Sequence, residues 1–329
     1  MTDKDLTVSR PGRWLANVAL TLVTATTSPL AAPTFELVDT AMNLSEPIPY
    51  CVGRFRLHVA KSMAPTGRSQ QIYRVDISTG ARPSGVPAPS VWADRLTVIR
   101  GGKPSSPDPV IRSFDLEPGV PAAWYYARPN DRFHITLEAM KPFKDHILRL
   151  VYEITGEPQS ATESAYRRIL AGYVPGGKTG FCMEHGSLTS EPSRNEHTNI
   201  AFQHTAVREL KLTFASDSVD KPDTRDMLRD VEEERKLLLE AGSEVEILQN
   251  GPRTVAQLQG VDARIRMLAR DTAPFVRFTW RYAGNAKNAT TPQITVVAVA
   301  PVAHQATLEA VWETLLNGLQ PAPQPPGSR

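Results

Sequence analysis

Cysteine is the scarcest residue type here: 329 residues hold two, Cys51 and Cys182. Two thiols exclude a disulfide-knitted mini-domain and a four-cysteine zinc site. The seven histidines are scattered, and none forms HxH or HExxH. Cys182 and His185 have the spacing of half a zinc site, but no second pair completes it. No metal is expected. No GxSxG is present to mark a serine-hydrolase elbow. No charge of one sign dominates: 37 Lys and Arg oppose 35 Asp and Glu, a net of +2, with no basic block. That leaves no electrostatic footprint for nucleic acid. No segment has the ~18 or more apolar residues that would span a bilayer, so no integral span is expected in the mature protein.

One absence is local. Between Arg13 and Glu36 there is no charged residue. The run WLANVALTLVTATTSPLAA follows Lys4, Arg10 and Arg13 and ends in small residues before a proline. A basic start, a short apolar run and a small-residue end read as a secretory signal. No cysteine lies near Ala31 and Ala32, which argues against a lipoprotein anchor. The plainer alternative is an N-terminal arm of a cytosolic protein.

What is present is strand-forming sequence broken by turn residues. In CVGRFRLHV, from Cys51, the apolar Cys51, Phe55, Leu57 and Val59 alternate with Arg54, Arg56 and His58. That is the period of a half-buried strand. Tyr73, Val75 and Ile77 alternate in the same way, as do Phe133, Ile135 and Leu137, and Leu148, Leu150 and Tyr152. GARPSGVPAPS from Gly80 and GGKPSSPDP from Gly101 read as loops. SATESAYRRILAGYV reads as a helix, with Ser160 and Glu163 as a capping box.

GFCMEHGSL, from Gly180, reopens as strand. Leu210, Leu212 and Phe214 alternate next. TRDMLRDVEEERKLLLEAG is a helix with Thr224 as cap, Gly242 as stop and Met227, Leu228, Val231 and Leu238 as its apolar stripe. ARIRML, VRFTWRY and QITVVAVA follow as strands, and ATLEAVWETLLNGL closes as a helix before Pro321. The expected fold class is α+β: two domains, each a mainly antiparallel sheet with a closing helix. The expected bounds are a signal-like leader over 1–45, an N-terminal domain over 46–174 and a C-terminal domain over 175–320. A Pro-rich tail over 321–329 is expected to be disordered.

Several motifs invite chemistry. GYVPGGKT, from Gly172, matches the letters of a phosphate-binding loop. That loop needs a strand before it and a helix after it, whereas here a helix precedes and a strand-like string follows. An interdomain linker at Gly176, Gly177 and Lys178 is the better reading, with no nucleotide and no other cofactor. Glu184 beside His185 suggests acid–base work, but adjacent strand residues face opposite ways. Cys182 with His185, His197 or His204 as base would be a thiol nucleophile. In an exported chain a Cys51–Cys182 disulfide is the competing fate, and two separate buried thiols are a third. No catalytic group is assigned.

Taken in order, these strings resemble the two-domain immunity proteins of type VI secretion lipase effectors, the family paired with class-four lipases. CVGRF resembles the family's opening strand, and GFCMEHGSL resembles the start of its C-terminal domain. FTWRYAGNAKNATTPQITVVAV, with Trp280, Gly284 and Pro292, resembles its late strand pair, and the helix holding Trp312 its closing element. The family's Gly-Glu-Glu-like turn reads QLQGVDARIRM here: Gly260 is expected to keep the turn, and Asp262 replaces the acidic pair only in part. The resemblance implies a non-enzyme acting in the periplasm. Its partner would be a cognate phospholipase effector, clamped between two domains with its active site closed to substrate. The contact residues are not implied. An exported enzyme using Cys182, or a periplasmic small-ligand-binding protein, are the alternatives. The long α/β repeats that would favour the ligand-binding reading are absent.

Overall fold

The computed structural model describes residues 47–101, 108–128, 131–193, 195–223, 225–268 and 273–324, with the Met227 side chain left out. The first elements are β1 (Ile48–Val52), β2 (Phe55–Val59), β3 (Met63–Ile72), β4 (Val75–Ala81) and α1 (Ala88–Ile99). Next come β5 (Val110–Glu117), β6 (Val120–Arg128), β7 (Asp131–Pro142), β8 (His146–Thr155) and α2 (Ser160–Gly172). The short strands β9 (Tyr173–Pro175), β10 (Phe181–Cys182) and β11 (Gly186–Leu188) precede β12 (His197–His204) and β13 (Lys211–Asp217). The rest is α3 (Met227–Glu240), β14 (Glu244–Val255), β15 (Leu258–Leu268), β16 (Phe275–Tyr282), β17 (Gln293–Pro301), α4 (Gln305–Gly318) and β18 (Gln320–Pro321).

The fold is α+β and mainly antiparallel. Twelve strands form one sheet in the order β14-β15-β16-β17-β13-β12-β3-β4-β8-β7-β6-β5, with two three-stranded sheets, β1-β2-β18 and β10-β11-β9, beside it. The sheet is almost divided between β3 and β4, which share only the pairs Gln71–Asp76 and Ile72–Val75. Past that point β4 pairs with β8, and β3 is left paired on one side by β12. The turn between them is Tyr73-Arg74, both at positive φ. That backbone twist matches antiparallel strands. The alternation of Tyr73 with Val75 and Ile77 therefore spans a hairpin turn and not one strand.

Two apolar cores flank the division. One gathers Phe55, Leu57 and Met63 with Phe202, Phe214, Phe278, Trp280 and Trp312. The other gathers Ile72 and Val75 with Trp124, Leu137, Tyr166, Phe181 and Leu188. The chain enters the first core, leaves to build the second over residues 72–188, and returns. Tyr173, Phe181, Met183 and Leu188 belong to the second core. The boundary expected at 174/175 falls inside that core, because β1 and β2 join the C-terminal elements through long-range packing that local periodicity does not report.

Several local expectations change in the structure. CVGRFRLHV is two strands, β1 and β2, joined at Gly53-Arg54. GARPSGVPAPS runs into α1, whose first turn holds Pro89 and whose Trp92 is buried; proline is tolerated there because its missing N–H would be unpaired anyway. Ser160 is the first helical residue of α2 and makes no side-chain cap. The α3 cap is Asp226, whose carboxylate accepts from the Leu228 and Arg229 amides; Thr224 lies outside the described residues. Gly242, at positive φ, does end α3. Phe133 is 75% exposed, while residues 135–139 are buried on both faces. Tyr166 of α2 donates to the Leu137 carbonyl, and Arg95 of α1 pairs with Glu138, so helices cover both sides there. The tail is ordered as far as residue 324: β18 pairs with β2, Ala322 is buried, and Pro323 O accepts from the Gly180 amide.

Gly260 does not form the turn either. Ala256 and Gln257, both at positive φ, turn β14 into β15, and Gly260 lies within β15. A Cβ there would sit 2.5 Å from the Arg281 carbonyl oxygen and 2.7 Å from Cε2 of Trp280. The glycine is the space that the Trp280 ring occupies. Asp262, two residues on, is fully buried; it accepts from Arg253 (3.0 Å) and Arg264 (2.8 Å), and both also hold Glu313 of α4. Its role is to fix α4 to the sheet. Gly260→Val should overpack this contact and lower unfolding free energy by about 1–3 kcal/mol. Urea denaturation checks it, and an unchanged midpoint would contradict the reading.

Candidate partner-binding cleft

The two strings that open the halves in sequence meet in space. Cys51 and Cys182 form a disulfide, with Cα atoms 5.3 Å apart and a sequence separation of 131. Beside it the Gly53 amide donates to Cys182 O (3.0 Å) and the Cys182 amide to Gly53 O (2.7 Å). Gln70 of β3 donates its side-chain amide to the same Cys182 carbonyl at 2.6 Å. Gly53 has φ +56, and a Cβ there would lie 2.6 Å from Thr198 Oγ1. Only glycine satisfies both the left-handed backbone and the close approach of β12.

Arg54 follows, and it is buried rather than solvated. Its Nε and Nη2 clamp Glu196 at 2.9 and 2.6 Å, with side-chain exposures of 4% and 6%. Glu196 also accepts from the Ser193 amide (2.7 Å), and the Arg54 carbonyl accepts from Ala322 (2.8 Å). One dipeptide, Gly53-Arg54, thus ties β1–β2, the β10 hairpin, the loop before β12 and the C-terminal tail.

This junction forms one wall of an open cleft of about 1200 Å³. Its lining comes from β1 and β2 (Tyr50, Cys51, Arg56, His58), β3 (Pro65 to Arg68), the start of β8 (Asp145, His146) and residues 175–178 and 183–186. Phe143, His146 and His185 pack in sequence, with ring centroids 4.7 and 5.2 Å apart. His146 is buried; its Nδ1 meets Asp145 at 2.7 Å and its Nε2 meets the Tyr173 hydroxyl at 2.7 Å. The Tyr173 hydroxyl also donates to the His185 carbonyl at 3.2 Å, so it bridges His146 and His185. Burial lifts the Tyr173 hydroxyl well above its ordinary value, with Asp145 adding to the shift. The relay holds the turn at residues 183–185 against β8.

Arg68 is the exception in this cleft. Its Nη1 is buried and has no hydrogen-bond partner among the described residues. Burial pushes its guanidinium below the usual range, while Glu184 and Tyr50 push it back up.

Apart from the Cys51–Cys182 pair, the residues singled out from sequence are dispersed. Cys182 is bonded to Cys51, so its thiol is not free to act as a nucleophile. His185 lies in the turn after β10 and stacks on His146. His197, at one end of β12, pairs with Asp217, which raises it above the ordinary histidine value. His204, at the other end, is buried and accepts from the Ala206 and Val207 amides through Nδ1. GYVPGGKT is strand β9 followed by a turn. Its Gly176 amide donates to His185 O and its Gly177 amide to Val174 O, so the amides a phosphate would need are engaged. Among the described residues no three His, Cys, Asp or Glu side chains gather as a metal would require. Arg68, His146 and the buried role of Arg54 carry no sequence signal, because each depends on which distant segment arrives beside it.

Residues 175–323 match the family model for the Tle cognate immunity protein 4 C-terminal domain. Solved structures extend the likeness to the rest of the fold. A chain of the Tle4–Tli4 complex superposes with a TM-score of 0.69 at 16% identity, covering 86% of this chain and 100% of that one. The apo immunity protein TplEi of the T6SS from Pseudomonas aeruginosa gives 0.68 at 15% identity, covering 85% and 98%. TplEi complexed with a peptide designated "L" gives 0.65 at 16% identity, covering 85% and 99%. At such identities the likeness is one of fold. No curated protein sequence is similar enough to count as a match.

Two outcomes follow from this geometry. Glu196→Ala should strand Arg54 in the interior and cost roughly 3–5 kcal/mol, while an Arg54→Met/Glu196→Leu pair should recover part of that loss. Denaturant titration of the three proteins checks this, and additive losses would refute it. Burial, with His304 adding to the shift, holds His204 below its ordinary value, so its neutral form stabilises the fold above pH 6.5 and that share is lost as pH falls further. The stability difference between wild type and His204→Asn should therefore narrow as pH drops from 7.5 to 5.5. A constant difference would contradict it.

Proposed function

We propose that this protein is a T6SS immunity protein that binds a cognate lipase effector and inhibits it. The observation that carries the reading is the immunity-domain match over residues 175–323, set on a fold shared along almost its whole length with a chain of the Tle4–Tli4 complex and with TplEi. Its chemistry is consistent with a binder. The Cys182 thiol is in a disulfide, and the buried carboxylates Glu138, Glu196 and Asp262 are each clamped by arginine.

The cleft beside the disulfide is the surface we assign to the partner. Two cores flank the split of the sheet there, and a segment of the effector held between them would be gripped from both sides. Such a clamp would bury on the order of 1,600 Å² or more and would close the lipase active site to substrate. We place this action in the periplasm. The supporting features are the signal-like run before Ala32, which lies outside the described residues, and a disulfide suited to an oxidising compartment. No helix among the described residues is long and apolar enough to cross a membrane.

The test is co-expression of the full chain with the lipase encoded beside its gene, directed to the periplasm. Toxicity should be abolished, and calorimetry with purified mature protein should give a one-to-one complex. A protein that neither binds nor inhibits that lipase would refute the assignment.

A further inference from the structure

The central strand β3 is open where the cleft begins. It has ten residues, yet only Gln71 and Ile72 pair with β4. Over residues 64–69 its only backbone partners among the described residues are those of β12. Residues 64–67 are exposed in succession, in a strand that sits seventh of twelve in the sheet. A run of unpaired N–H and C=O groups is a template for one more strand. Gly67 adds room: a Cβ there would meet nothing within 4 Å, so another backbone can approach closely. Pro65 and the bulge opposite Ala201–Phe202 blunt the first part of this edge, leaving Gly67–Ser69 as the part able to pair.

The charge beside that edge is also open. Arg68 stands within it and keeps a buried Nη1 with no partner. Glu184 is the first carboxylate to influence it but forms no ion pair with it. Arg56 and Lys178 line the same cleft, so three fixed cations face two carboxylates, Asp145 and Glu184. Asp145 is engaged by His146. A buried guanidinium nitrogen without an acceptor is costly, and an incoming carboxylate relieves it through a charge-assisted pair.

We infer that the cleft receives an extended, carboxylate-bearing segment of the effector, laid as an added strand along β3 at Gly67–Ser69 with its carboxylate on Arg68. This rests on the immunity function proposed above and specifies what the partner presents. Backbone pairing supplies grip without side-chain specificity, and Arg68 supplies selection for an acid at one register position. Lysine has no planar fork but retains the charge, so Arg68→Lys should keep part of the affinity.

Hydrogen exchange of the full mature protein, with and without the lipase encoded beside its gene, reads the strand directly. Amide exchange in Gly67–Ser69 should slow at least about tenfold in the complex. Arg68→Glu should weaken binding about 100-fold or more, and Arg68→Lys by less. If Arg68→Glu lowers the melting temperature, Arg68→Gln removes the charge alone and carries the same test. Wild-type binding with unprotected Gly67–Ser69, or wild-type affinity in the folded Arg68 variants, would overturn this inference and leave the immunity reading intact. Wild-type protein that fails to bind would overturn both.

Discussion

The junction of Cys51, Gly53 and Arg54 with Cys182 and Glu196 is the contact on which the rest of this structure depends. Val52 and Phe55, on either side of Gly53-Arg54, belong to one core; Phe181 and Met183, on either side of Cys182, belong to the other. A covalent bond and two backbone hydrogen bonds therefore cross between cores within a few residues, and the buried Arg54–Glu196 ion pair lies beside them. The disulfide closes a loop of 131 positions, for which the chain-entropy model gives roughly 4–5 kcal/mol. The ion pair adds little net stability as a pair, yet neither partner can be removed alone without leaving a charge in the interior. It selects one geometry. The tail adds to it, since Ala322 and Pro323 bond to Arg54 and Gly180.

That junction matters because the sheet itself is a weak link. Two residue pairs between β3 and β4 hold twelve strands together. Without the bridge, the two cores would have that short ladder and the chain itself to fix their relative angle. With it, the split is held at a set width and becomes a cleft. The same division leaves β3 half paired and Arg68 unsatisfied. Both are costs in the free protein, and both are what a partner would relieve. A surface of this kind holds its binding geometry before the partner arrives, which lowers the ordering cost of association.

The α+β class and much of the strand content were legible from periodicity. Leu212 and Phe214 in β13 with Leu210 just before it, Phe278 and Trp280 in β16, and the alternation of β17 are buried as their spacing implies. Those strands bury one face, and a period of two reports it. Periodicity failed where burial came from elsewhere. Residues 135–139 lost their alternation because helices cover both faces of β7. Arg54 read as a wet residue because Glu196 lies 142 positions away. Tyr73-Arg74 and Gly53-Arg54 are two-residue turns whose flanking residues happen to keep the alternation going. The two strings CVGRF and GFCMEHGSL were recognisable as unusual, and a Cys51–Cys182 disulfide was one of the fates open to their cysteines; the structure forms it, while the hydrogen bonds and the ion pair around it carried no sequence signal. The cleft was illegible for the same reason: Arg68, His146 and His185 come from three separate segments, and topology alone brings them together.

The claim that the junction presets the cleft for its partner is tested most directly by the affinity of a Cys51→Ser/Cys182→Ser variant for the lipase encoded beside the gene. It should be measured on protein shown to be folded by circular dichroism. The account predicts binding weaker by roughly tenfold or more, because the variant must fix the cleft width at the moment of association. Unchanged affinity in a folded variant would contradict it.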